Sequence, residues 1–587
     1  MRYARYGGEY RIEKPGRLVR RAARLGRHLW LPALGALLAA ILATSARLLG
    51  PFVVRGGIRE GDTRVITTAA LVFIGLLVFQ YFAQRLAQFA IAWVGERFLL
   101  SLRSEIFSHL MRLDVGFYDR TKTGVLVSRM TSDIESMTEF VNEGAVLALT
   151  NLLTAVGVAV AMLILDWQLA LVAFGVIAAL VGISVIFQRH VSSAYEKVRE
   201  RIGRVLASLQ EGITGVRVVQ AFTQEDTQAS NFGRINERYF DANMAAARAI
   251  SWYFPAVSFL RTLAVGLVLL YGGFRVLDGD LSAGTLIAFL LYLDWFFQPI
   301  INLANVYNLL QASLAALAKL FELRDTQPTV QELPGAYDLP LPIAGNLTLH
   351  GVGFSYEPGV SVLDGIDFDV PAGQRLAVVG ETGASKSTIA KLLLRFYDPS
   401  DGSITVDGHD LRSLTFASRA TSVALIPQDD FLFNGTLRDN FRYGRPAATD
   451  REIWDVCRAM GIDDWLRGLP EELDTPVRER GSRFSAGERQ LIALGRAFLV
   501  DPGVIVLDEA TSNLDPETEV QVEGALRILL AGRTSVVIAH RLRSAERADR
   551  VIMIDDGTII ADGRHDELVA SSPRYQHLVE VWERGNL

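Results

Sequence analysis

At 587 residues the chain is too long for one compact domain, and half of its residues are hydrophobic, with a mean hydropathy of +0.24. The formal charge of −6 argues neither for nor against a nucleic-acid partner. The single cysteine, Cys457, excludes an intrachain disulfide and reads as a small structural side chain.

Residues 1–28 carry nine Lys/Arg against two Glu, too polar for a cleavable signal peptide. Apolar stretches follow at about 29–54 and 66–93. Residues 144–187 hold one charged residue, Asp166, and their 44 positions fit two spans of ~20 residues joined by a turn at 166–168. Further candidates lie at about 252–276 and 283–306, which makes six spans. Each can satisfy its own backbone groups in lipid as a helix. The basic start predicts a cytoplasmic N-terminus, and six spans return the chain to the cytoplasm. The polar stretches 94–136 and 188–250 read as helical extensions of the spans. Each contains a break, Phe117–Gly124 and Gly215–Asp226, placed to dock on a second domain.

Arg47, Gln84, Arg85, Arg261, Asp294, Gln298, Asn302 and Asn305 are polar residues inside spans. Arg47 and Arg85 read as snorkelling or structurally paired groups. Asp294, Gln298 and Asn302 recur every four residues on one helix face, a spacing that fits either a polar cavity wall or helix–helix hydrogen bonding. Residues 323–346 carry four prolines and read as a linker.

After Gly345 short apolar runs alternate with helical stretches. Leu376–Val379 and Val504–Leu507 have the continuous hydrophobicity of strands buried in a parallel sheet. The first runs into Gly380, Glu381, Thr382, Gly383, Ala384, Ser385, Lys386, Ser387 and Thr388, and then into a predicted helix, Ser387–Phe396. Strand, glycine-rich loop and helix form a phosphate cradle of inward backbone N–H groups. Lys386 is suited to the β- and γ-phosphates and Ser387 to Mg²⁺. Asp508, at a strand end, would hold the same ion, Glu509 would polarise the attacking water, and His540, after the run Ser535–Ala539, would hold the γ-phosphate and that water. Ser385 stands where the loop pattern asks for glycine, which predicts a cost of roughly 1–2 kcal/mol if that residue is left-handed.

With its six spans, linker and motif order, the chain resembles a half-transporter of the ATP-binding cassette superfamily, exporter type. The specific element is Phe484–Gln490, similar to the superfamily's signature, in which Ser485 and Gly487 match while Phe484, Ala486 and Glu488 depart. The resemblance implies a membrane all-α domain of six helices fused to a cytoplasmic α/β P-loop nucleotide-binding domain. Its divisions are a basic segment 1–28, a transmembrane domain 29–320 with two coupling loops, a linker 321–345 and an ATP-binding cassette 346–587. It implies that Tyr356 stacks on adenine and that Gln428 links Mg²⁺ and nucleotide to the membrane domain. Asp515 would lie in the loop joining the two nucleotide sites, and Thr475–Gly481 would be the exporter-specific stretch beside the signature. Ser485 and Gly487 would contact the ATP held by a second half-transporter chain. The retained Glu509 beside an unusual signature leans toward a heterodimer rather than a homodimer. The implied activity is ATP-driven export of an amphipathic or hydrophobic small molecule across the plasma membrane, with ATP and Mg²⁺ as cofactors and no nucleic acid. The alternatives are an exporter-shaped importer, such as one for siderophores, and an ATP-gated regulatory membrane protein.

Overall fold

The computed structural model describes residues 15–60, 63–381, 383, 385–427, 431–508, 516–539 and 541–585. They form two units, Met1–Met111 with Thr123–Thr326, and Arg112–Lys122 with Gln327–Leu587.

The first unit is helical. Among the described residues five helices are long and apolar enough to cross a membrane: Gly16–Gly56, Thr63–Leu110, Thr123–Leu165, Trp167–Thr214 and Glu225–Leu277. The sixth expected span lies in helix Ala283–Asp325; the side chains of residues 300, 301 and 303–305, including the predicted Asn305, lie outside the described set. Three of these helices have 48, 48 and 53 residues, about 70–80 Å of helix, more than twice a ~30 Å hydrocarbon core. They therefore extend well past any span, as the polar stretches predict.

The expected turn is one residue long. Helix Val146–Leu165 stops at Asp166 and the next helix begins at Trp167. Asp166 is extended, and one of its carboxylate oxygens accepts the free N–H groups of Gln168 (3.0 Å) and Leu169 (2.9 Å). Its other oxygen accepts from Arg275 at 2.7 Å, at the far end of helix Glu225–Leu277. The charge that interrupts the apolar stretch is thus both a cap and a tie to a third helix.

The second unit is an α/β cassette. Its six-stranded sheet has the order Thr558–Gly563, Arg550–Asp555, Arg375–Val379, Thr534–Ile538, Val504–Asp508, Val423–Ile426. All neighbours are parallel except the first pair. The three central strands are almost entirely buried, which explains their unbroken apolar runs. An antiparallel sheet that includes Leu347–Phe354 and Leu363–Val370 packs over the same core. Residues 327–346 are held to the cassette rather than loosely spanning. Arg395 donates to the Gln331 carbonyl (2.8 Å), Leu339 N–H donates to Ser418 (2.8 Å), and the Asp407 carboxylate accepts from the N–H groups of Ala344, Gly345 and Asn346. Helix Lys386–Leu393 ends before the predicted Phe396, because Arg395 takes a left-handed conformation (φ 48°) and turns the chain.

Candidate nucleotide site

Pairing of Ile538 with both Val378 and Asp508 lines up the three central strands at their carboxyl ends. The phosphate loop, Asp508 and the chain leading to His540 therefore leave the sheet along one edge, where parallel sheets place their ligands. Gly383 has φ 93°, a conformation that a side chain would oppose. Ser385 has φ 65° and ψ 15°, so the serine occupies the left-handed position that the loop pattern gives to glycine. Lys386 is buried, and its ammonium donates to the carbonyls of Gly380 (2.7 Å) and Glu381 (2.8 Å). That contact holds the charge inside the loop. Ser387 is exposed and Thr388 buried at the start of the helix that follows. The predicted Thr382, Ala384, Gln428, Glu509, Asp515 and His540 lie outside the described residues.

The signature residues open helix Ala486–Val500. Ser485 accepts the Glu488 N–H at 3.2 Å, and the Glu488 carboxylate accepts the Ser485 N–H at 2.7 Å, a reciprocal cap. The other Glu488 oxygen accepts from the Trp465 indole at 2.8 Å. Glu488 thus departs from the signature pattern in a residue that fastens the helix start, while the Ser485 O–H remains able to donate to a ligand. Gly487 is buried in the first turn.

Tyr356 lies beside the phosphate-loop helix, its hydroxyl 3.1 Å from that of Thr388 and its ring 5.2 Å, edge-on, from Tyr397. Tyr397 donates to Asp119 (2.8 Å), and so does Lys391 (2.6 Å). Asp119 belongs to the short helix Val115–Arg120, the break singled out in the sequence, which Asp114 caps. Burial alone would raise the Asp119 carboxyl, but the hydrogen bonds from Lys391 and Tyr397 hold it below the usual carboxylate range. Burial and the bond to Asp119 push the Tyr397 hydroxyl up. Sequence reasoning missed Lys391, Tyr397 and Asp119 as a group, because 272 residues separate Lys391 from Asp119.

Comparison with known proteins agrees with this geometry. The ABC transporter transmembrane region matches residues 34–300, and the ABC transporter family matches residues 363–512. An uncharacterised ABC transporter ATP-binding protein of Bacillus subtilis, YknV, is 35% identical over 534 residues, 91% of this chain and 88% of that protein. This chain belongs to the ABC transporter family. An ATP-dependent lipid A-core flippase of Syntrophus aciditrophicus is 32% identical over 84% of this chain and 81% of its own length. A multidrug efflux ATP-binding/permease protein of Mycobacterium bovis is 35% identical over 93% of this chain but 46% of its own length. A bacterial Atm1-family ABC exporter solved with ATP bound superposes with a TM-score of 0.77 at 27% identity, covering 95% of this ABC transporter chain and 99% of the other.

Proposed function

We propose that this ABC transporter chain is one half of a dimeric exporter that uses ATP to move an amphipathic or hydrophobic compound across the plasma membrane. The observation that carries the reading is Lys386, buried in a loop between a central parallel strand and a helix, on a chain whose first unit is built of long apolar helices. The relatives named for lipid A-core flipping and multidrug efflux support an amphipathic cargo, and the exporter with the same fold supports export.

In this reading ATP draws the Lys386 ammonium from the Gly380 and Glu381 carbonyls to its own phosphates, and the loop N–H groups hold the remaining oxygens. Ser387 and Asp508 offer one hydroxyl and one carboxylate, a hard-oxygen pair that fits Mg²⁺, which takes the rest of its shell from phosphate and water. Bound Mg²⁺ would neutralise charge on the β- and γ-phosphates. Glu509 orients the attacking water, His540 holds the γ-phosphate, Gln428 senses metal and nucleotide, and Asp515 links the two sites. Tyr356 stacks on the adenine. The Ser485 O–H and the turn at Gly487 meet the ATP of the partner chain, so neither chain completes a site alone. ATP favours the closed pair and hydrolysis releases it, which alternates the access of the membrane helices.

The test is ATP hydrolysis by the purified chain in lipid, beside Glu509→Gln and Lys386→Ala. The expected result is activity that both variants lose while Glu509→Gln still binds ATP. A chain that binds no ATP, or whose hydrolysis survives both substitutions, sinks the reading. A chain that binds ATP but is silent alone points to an obligate second chain, the heterodimer.

A further inference from the structure

Arg47 lies about seven residues, ~10 Å, inside the end of its apolar stretch, and Arg261 and Asp294 sit near the middle of theirs. Three different helices bring them together. Arg261 pairs with Asp294 at 2.8 Å. Asp294 also lies within electrostatic range of Arg47. The Arg47 guanidinium rests over the Trp295 ring at 4.6 Å. Tyr292, one turn earlier, donates to the Leu48 carbonyl and so pins the two helices at this level. Gln298 and Asn302 continue the polar face by one and two further turns.

Two arginines against one aspartate leave a surplus positive charge inside an apolar layer. The Arg261–Asp294 pair answers the one acidic charge, so the surplus falls to Arg47. Arg47 is half-buried, with its guanidinium stacked on an indole ring. A guanidinium has five donors, and leaving them unmatched in a low-dielectric layer is costly. Charged groups at this depth face a pathway rather than lipid. A planar donor fork stacked on an indole recognises a phosphate or carboxylate, and the surrounding apolar helices suit an attached hydrocarbon body.

We propose that Arg47, with the Arg261–Asp294 pair beside it, is the recognition point for the anionic headgroup of an amphiphilic cargo. The inference rests on the exporter reading and narrows its substrate class to anionic amphiphiles. Asp294 acts as the internal counter-charge: it holds Arg261 and reduces the field at Arg47 until the headgroup arrives.

The test is equilibrium binding to the full chain in lipid nanodiscs without ATP, corrected for empty discs. The probes are radiolabelled dodecyl phosphate, dodecyltrimethylammonium and glycerol phosphate. Dodecyl phosphate is expected to bind at least tenfold more tightly than the cationic probe of equal chain length, and more tightly than glycerol phosphate, which lacks the apolar body. Arg47→Gln should weaken dodecyl phosphate at least tenfold, Arg47→Lys should retain most of the affinity, and Asp294→Asn should strengthen it. Dependence on Arg47 separates this site from capture by the phosphate loop. Equal binding of the two alkyl probes, glycerol phosphate binding as well as dodecyl phosphate, or weaker binding in Asp294→Asn overturns the proposal. If Arg47→Gln does not fold, the headgroup comparison on the unaltered chain and the sign of Asp294→Asn still decide. A chain with live ATPase but no Arg47-dependent binding loses this inference and keeps the exporter reading; Arg47-dependent binding by a chain that binds no ATP keeps the anionic site and loses the exporter reading.

Discussion

Ser385 is held left-handed in the phosphate loop, and a residue with a Cβ loses roughly 1–2 kcal/mol there. Glycine would remove that strain but bring about 0.5–1 kcal/mol of its own chain entropy, so the net effect on stability is small. The larger expected effect is on the ligand, because glycine lets the backbone approach the phosphates. Ser385→Gly should tighten ATP binding severalfold with little change in thermal unfolding, checked by nucleotide titration and a melting scan. Unchanged ATP affinity would mean that the hydroxyl is accommodated. Gly116 gives a second residue-scale expectation. A Cβ there would meet the Tyr397 ring at 2.8 Å, and the ring is held by its bond to Asp119. Gly116→Val should cost about 1–3 kcal/mol of local packing and lower ATPase stimulation by cargo more than basal turnover. The Ser385 departure was legible in the sequence, since the motif fixes its place. The need for glycine at 116 was not, because the ring that forbids a side chain comes from nearly 300 residues away.

At the scale of elements, the short helix Val115–Arg120 is joined to the phosphate-loop helix through Asp119 and Lys391. The pair is partly exposed, so its net contribution to stability is small. Its expected importance is in transmission. Asp119→Asn should leave ATP affinity intact and reduce cargo-stimulated hydrolysis, which parallel binding and turnover assays would check. The Asp119 carboxyl is held below its ordinary value of 3.8, so the contact is complete above that value and is lost only as pH falls through the depressed one. Coupling through it should therefore be flat around neutral pH; a loss between pH 7 and pH 6 would assign the effect to another group. The turn at Asp166 separates two effects in the same way. Asp166→Asn keeps a capping side chain and loses the pair with Arg275, whereas Asp166→Ala loses both. The alanine variant should be less stable than the asparagine one by about 1 kcal/mol, the usual worth of an N-cap, read as the difference in detergent-solubilised melting. The sequence marked Asp166 as the turn because one charge breaks a long apolar stretch. It could not show Arg275 as its partner.

At the scale of the whole molecule, a site shared between two chains predicts complementation. Lys386→Ala removes one chain's phosphate loop, and Ser485→Arg blocks the signature offered to the other chain's loop. Each should be silent alone. Mixed dimers of the two retain one site with an intact loop facing an intact signature; with random pairing about half of the dimers are mixed, so co-expression should restore about a quarter of the unaltered rate in any chain that works as a homodimer. Silence of the mixture, with the unaltered chain active, would mean that the two sites cannot fire singly or are not shared. The sequence by itself determined the architecture: uninterrupted apolar length dictates helices in lipid, and fully hydrophobic short runs dictate buried parallel strands. It also marked the phosphate loop as a strand, turn and helix, because these are neighbours in the chain. The tertiary structure decided what depends on distant residues meeting. Glu488 became a cap shared with Trp465, Lys391 and Tyr397 met Asp119, Arg47 was brought to Trp295, and Arg261 to Asp294. These contacts follow from packing between elements far apart in sequence, and no local pattern encodes which side chains will share a face.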